Sequence, residues 1–216
     1  MRPNGREGAL VQTESSYKAY FSEHAEAWEG IAYLKARAVA GDVERATAFL
    51  HELQDVDWRR YGQNGRSRAE LAAMRAKIEK EQGLRNPLKA GPGGYYDLDF
   101  ALLYLRLKGA GIFFRALNTP ERIDVVEKMG HLDRQQAEFL RDAATLYRAI
   151  DHGMRVSTGH AEGTLPVSPA QRAVLGELVE RWCPARLPSS GGENLLQTTL
   201  VGVRVRMRAF FEGVFA

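Results

Sequence analysis

The sequence predicts an all-α protein, a bundle of about seven or eight helices joined by short loops. Two observations carry that prediction. Helix start signals with matching cap residues recur along the chain, and between them apolar residues return at steps of three and four rather than two. A third limits it: only residues 1–14 have an extended character, with Ala9-Leu10-Val11 after the turn-like Pro3-Asn4-Gly5. On this pattern the chain divides into an extended N-terminal segment (1–14), a helical bundle (15–188), and a linker with a C-terminal helix that packs on the bundle (189–216).

From Ser15 to Ala38, Tyr17, Tyr20, Phe21, Trp28, Ile31 and Leu34 recur as on one or two amphipathic helices, and Gly41 ends the stretch. Asp42 can cap a helix through Asp57 whose apolar face carries Ala46, Phe49, Leu50 and Leu53. Ser67-Arg68-Ala69-Glu70 has the spacing of a capping box, opening a helix through Leu71, Met74 and Ile78 that Gly83 stops. The loop Asn86–Gly94 follows. The apolar run Tyr95–Leu107 has the length of a buried helix rather than of a strand. Thr119-Pro120 places proline at a first helical position, with Gly130 closing. Asp133 with Gln136 opens a long helix to about Val156, and Ser168-Pro169 opens another that ends near Cys183-Pro184. Ser189–Gly192 reads as a flexible linker. The last segment contains an alternating Val203–Arg208, but Leu196, Leu200, Val203, Met207, Phe210 and Val214 mark one face of a helix.

Composition narrows the function classes. Thirty basic against 27 acidic residues leave a net charge of only +3 over 216 residues, so nucleic acid is not expected as a partner. One cysteine, Cys183, excludes an internal disulfide and a multi-cysteine zinc site, and fits a reducing compartment. No apolar stretch is long enough for a signal peptide or a membrane span, so a cytoplasmic protein is expected, without a membrane partner. His24, His51, His131, His152 and His160 have no metal-ligand spacing, and no metal site is expected.

Two features could carry chemistry. Asp97-Leu98-Asp99 has the composition of a magnesium-binding carboxylate pair. That chemistry needs both groups on one side of the backbone, and residues i and i+2 lie about 200° apart on a helix. In a first helical turn the pair instead meets the helix dipole and its free amides. The Lys89–Gly94 loop reads either as a tight structural turn or as a phosphate site, with glycine amides and a lysine charge at a helix start. It lacks the lysine after its glycines that a P-loop requires. Arg204, Arg206 and Arg208 read as a solvated helix face.

In order, the motifs are Arg2-Pro3-x-Gly5-x-x-Gly8-x-Leu10-Val11, Trp28-Glu29-x-x-Ala32-x-x-Lys35-Ala36-Arg37-x-x-Ala40-Gly41-Asp42, Met74-Arg75-x-Lys77-Ile78, Lys89-x-Gly91-Pro92-Gly93-Gly94-x-x-Asp97-x-Asp99-Phe100, Tyr147-Arg148-x-x-Asp151-His152 and Leu165-Pro166. This series resembles the glutamine-synthetase adenylyltransferase/deadenylylase family over residues 1–185. The resemblance implies a polymerase-β-like nucleotidyltransferase domain followed by a helical one, in an enzyme whose two modules add AMP to a tyrosine of glutamine synthetase and remove it by phosphorolysis. Lys35-Ala36-Arg37, Arg59-Arg60-Tyr61 and Lys89-x-Gly91-Pro92 lean toward the AMP-removing module. The family's catalytic Asp-x-Asp lies upstream of the Arg-Pro block, which here begins at Arg2. The implied assignment is therefore a helical portion without the metal pair, inactive alone, binding no cofactor by itself, with magnesium and ATP or ADP belonging to the full enzyme.

The implied partners are the nucleotidyltransferase domain and glutamine synthetase. Arg2, Lys89, Gly91, Gly93 and Gly94 would face the nucleotide side. Trp28, Glu29 and Arg37, together with Asp97, Asp99, Arg148, Asp151 and His152, would serve as domain-packing or motif residues. Asp99 and Asp151 stand where the family has glutamate, and Tyr95-Tyr96 replaces an apolar-plus-arginine pair. A stand-alone helical interaction or regulatory module, without nucleotide chemistry, is the alternative.

Overall fold

A computed structural model describes residues 3–109, 117–160, 163–183 and 195–216. Among them are nine α-helices and no strand. These are α1 (Glu14–Glu23), α2 (Ala27–Tyr33), α3 (Val43–Asp57), α4 (Gly65–Gln82), α5 (Tyr95–Leu107), α6 (Thr119–Lys128), α7 (Arg134–Thr158), α8 (Pro169–Trp182) and α9 (Leu195–Phe215). The expected helical class holds, with a count slightly above the expected one because the first apolar stretch divides into α1 and α2. Glu26 caps α2 there through a reciprocal box with Glu29. Residues 9–12 take no regular structure, and Leu10 and Val11 are exposed. A strand needs a paired neighbour, and none exists among the described residues. The Ser189–Gly192 linker and Arg2 lie outside the described residues.

Cap chemistry explains most boundaries. Asp42 accepts the Arg45 amide at the start of α3. Asn118 and Glu121 form the box that opens α6, and Asp133 and Gln136 the one that opens α7. Gly159, at φ +76°, closes α7 in the left-handed conformation that glycine adopts without penalty. The expected start of α4 needs correcting. The helix begins at Gly65, Asn64 Oδ1 accepts the Arg66 amide, and Ser67 Oγ donates to the Tyr61 and Asn64 carbonyls from inside the first turn. Between α3 and α4, Trp58–Gly62 form one π-helical turn.

The chain forms two units, Met1–Met74 with Leu102–His131, and Arg75–Ala101 with Leu132–Ala216. In the first, α1 and α2 pack on α3. Phe21, Ala25 and Leu53 form a buried cluster, walled by Tyr17, Tyr20, Tyr33, Phe49 and Val56. Tyr17, Phe21 and Tyr33 meet ring to ring, an arrangement that adds to plain area burial. In the second, α8 and α9 pack on α7, whose apolar stripe buries Leu140, Leu146, Ile150 and Met154. Leu175 and Val179 of α8, and Leu200, Met207 and Phe211 of α9, are also buried in this unit.

Candidate ligand-binding site

The glycine-rich loop is built around a buried charge pair. Arg75 and Asp97 are both fully buried, with Arg75 Nη2 2.6 Å from Asp97 Oδ1. Arg75 also donates to the Gly91 carbonyl at 2.9 Å and lies 3.3 Å from Glu79. Asp97 Oδ2 accepts the Gly93 amide at 2.8 Å. Burial raises the Asp97 pKa, opposed by Arg75, the Gly93 amide and Arg208. An ion pair buried this way contributes little net stability but holds the segments that supply it in one geometry.

From the other side, Tyr147 donates its hydroxyl to the Gly93 carbonyl, and Arg204 donates to the Pro92 carbonyl at 2.9 and 3.1 Å. Gly93 sits at φ +66°, and a Cβ there would run into the Arg204 carbonyl of α9. Glycine is required at this point for both conformation and space.

Five amides at the end of the loop and the start of α5 are committed within this segment. Gly93 donates to Asp97, Gly94 to Gly91, Tyr95 to Leu88, Tyr96 to Lys89 and Asp97 to Gly94. An anion at the loop would have to take these amides from bonds already made. Asp97 and Asp99 both lie in the first turns of α5, and Asp97 is held by Arg75. This pair does not fit a shared magnesium ion. Two of the three α9 arginines depart from the expected solvated face, while Arg206 is exposed. Arg204 holds Pro92, Arg208 Nη1 lies 2.8 Å from Glu79, and the Arg206 guanidinium sits 4.1 Å from the Phe139 ring centre.

Beside the loop, the second unit contains a cavity of about 690 Å³. It brings together Lys89 with Arg148, Asp151 and His152 of α7, residues the sequence marked in separate motifs. Their spacing explains the convergence, since 148, 151, 152 and 155 share one helix face. Lys89 Nζ lies 3.0 Å from Asp151 Oδ1, and Arg155 Nε lies 3.0 Å from Oδ2. Burial raises the Asp151 pKa, but Lys89 and Arg155 outweigh it and hold the carboxyl below its usual range. Trp182 and Tyr95 supply aromatic wall, and the His152 ring centre is 5.2 Å from that of Trp182. Leu88, Ile150 and Met154 make the lining largely apolar.

Trp28, Glu29 and Arg37 belong to the first unit and are not among this cavity's lining residues. Glu29 is buried and accepts the Tyr20 hydroxyl at 2.9 Å, half-buried Trp28 donates to Glu26, and Arg37 is exposed. Cys183 is buried, and burial raises its thiol pKa.

Sequence reasoning missed Arg75 as an organiser. Its signal was its place on an apolar helix face, four residues after Leu71 and three before Ile78. It missed Arg155, which follows the quoted motif by one helical turn.

Residues 66–210 match the family model described as GlnD PII-uridylyltransferase, and residues 1–52 that described as glutamate-ammonia ligase adenylyltransferase. The chain is 29% identical over 222 residues to the bifunctional glutamine synthetase adenylyltransferase/adenylyl-removing enzyme of Nocardia farcinica, an alignment covering 100% of this chain and 22% of that protein. It is 31% identical to the enzyme of the same name from Hahella chejuensis, over 72% of this chain and 16% of that protein. For the Mycobacterium tuberculosis enzyme the figures are 31%, 81% and 18%. The chain belongs to the glutamine-synthetase adenylyltransferase family. It spans about a fifth of the length of these curated relatives.

Proposed function

We propose that this chain is the helical, non-catalytic portion of a glutamine-synthetase adenylyltransferase-like enzyme. In the full enzyme, AMP is transferred to, or removed from, a tyrosine of glutamine synthetase. This portion shapes the nucleotide cleft and docks the protein substrate. The observation that carries the reading is the state of Asp97. The carboxylate that most resembles a metal ligand is buried against Arg75 and the Gly93 amide, so its role is to hold the loop. Of the residues expected on the nucleotide side, Lys89 lines the cavity beside the loop. Magnesium and ATP or ADP would be supplied with the nucleotidyltransferase domain, and the chain acts in the cytoplasm.

The test has two arms. The chain incubated with labelled ATP, magnesium and glutamine synthetase should leave the synthetase unlabelled; clear labelling would overturn the non-catalytic assignment. The chain mixed with glutamine synthetase should co-elute with it in size-exclusion chromatography. Separate elution at all concentrations would overturn the docking assignment.

A further inference from the structure

The cavity beside α7 has an unbalanced charge. Lys89, Arg148 and Arg155 line it, and Asp151 is the one acidic residue among the described residues of its lining. Asp151 is shared between Lys89 and Arg155, and Arg148 has no acidic partner among the described residues. Among the described residues two positive charges are left without counter-charge, in the lining of a largely apolar space. The volume, about 690 Å³, falls within the range of small-molecule sites.

The walls add shape to charge. Trp182 is 39% exposed, so much of a large apolar side chain remains uncovered. The His152 ring leans on it at 46° rather than stacking flat. A flat ring entering the cavity can therefore pack against the indole, an arrangement aromatic pairs favour. Guanidinium groups match phosphate oxygens in geometry as well as charge.

We infer that this cavity is a binding site for a small phosphomonoester with a flat aromatic body, such as a nucleoside monophosphate. The dianionic phosphate meets Arg148 and the Lys89–Arg155 pair, and the aromatic body lies against Trp182. The inference deepens the assignment of Lys89 to the nucleotide side made above, but its test contains no glutamine synthetase, so the two can fail separately.

The experiment is calorimetric titration of the 216-residue chain with AMP, adenosine and inorganic phosphate. AMP should bind about tenfold or more tightly than either fragment, a difference of about 1.4 kcal/mol. Arg148→Gln and Lys89→Gln should each weaken AMP binding about tenfold, the loss of one charge-assisted contact. Trp182→Leu should weaken AMP while leaving phosphate unchanged. Thermal melts check folding; exposed Arg148 decides the matter should Lys89→Gln, which breaks an ion pair, fail to fold. No AMP binding at millimolar concentration, adenosine or phosphate binding as tightly as AMP, or full AMP affinity in Arg148→Gln would each overturn the inference.

Discussion

Asp57 makes the stability of the first unit depend on pH in a direction opposite to that of an ordinary surface carboxylate. It closes α3 fully buried, and neither carboxylate oxygen has a hydrogen-bond partner among the described residues. Its Oδ1 lies so close to Gly30 of α2 that a Cβ at that glycine would stand 3.0 Å away. Burial pushes its pKa from 3.8 up to about 8, with Arg60 opposing and Glu29 adding to the rise. Below pH 4 the carboxyl is protonated in both folded and unfolded chains. Above that the unfolded chain releases a proton that the folded chain keeps. Stability is then lost at about 1.4 kcal/mol per pH unit, until the folded form also ionises near pH 8.

Asp57→Asn removes the titration at nearly constant shape. Urea unfolding of both proteins at pH 5, 6 and 7 isolates the effect, because other titrating groups cancel in the difference. Between pH 5 and pH 7 the wild-type chain should lose about 3 kcal/mol relative to Asp57→Asn. A difference that stays constant with pH would refute the buried, unpaired state of this carboxyl.

Two further outcomes follow from the loop. Arg75→Met leaves Asp97 buried without its main counter-charge and should cost about 3–5 kcal/mol in denaturant unfolding, while Arg75→Met with Asp97→Leu should recover much of that. An equal loss in the double variant would mean that packing, not charge, dominates. Gly93→Ala forces a side chain into a left-handed position against the Arg204 carbonyl, and should lower the thermal midpoint by several degrees or prevent folding; an unchanged midpoint would contradict the close approach.

Local signals carried well from sequence to structure. Tyr95–Leu107 was legible as a helix from its length alone, and its bounds agree. The Asp133–Gln136 box is formed as its spacing predicts, and the three-and-four step of the last segment outweighs the alternation of Val203–Arg208. Ser67 misled because a serine three residues before a glutamate has the cap pattern wherever it falls. Here Asn64 occupies the start first.

At the candidate site, Lys89, Arg148, Asp151 and His152 were visible as motif residues, but nothing in their spacing joined residue 89 to residue 151. The partners of Arg75 and Arg204 were hidden for the same reason, although the place of Arg75 on an apolar face marked it as buried. Their partners lie on another helix, as Asp97 does, or in the loop, as Gly91 and Pro92 do, and helix periodicity reports only which face of one helix is apolar, not what meets it.

The bond from Arg204 to Pro92 spans 112 positions of sequence. During synthesis the glycine turn therefore leaves the ribosome well before the group that holds its outer side. Until α9 arrives, the Pro92 carbonyl can be satisfied only by water, and the turn rests on Arg75 and Tyr147. The outer side of the turn is thus completed only once α9 has been made and packed, a long-range closure that local helix formation does not require.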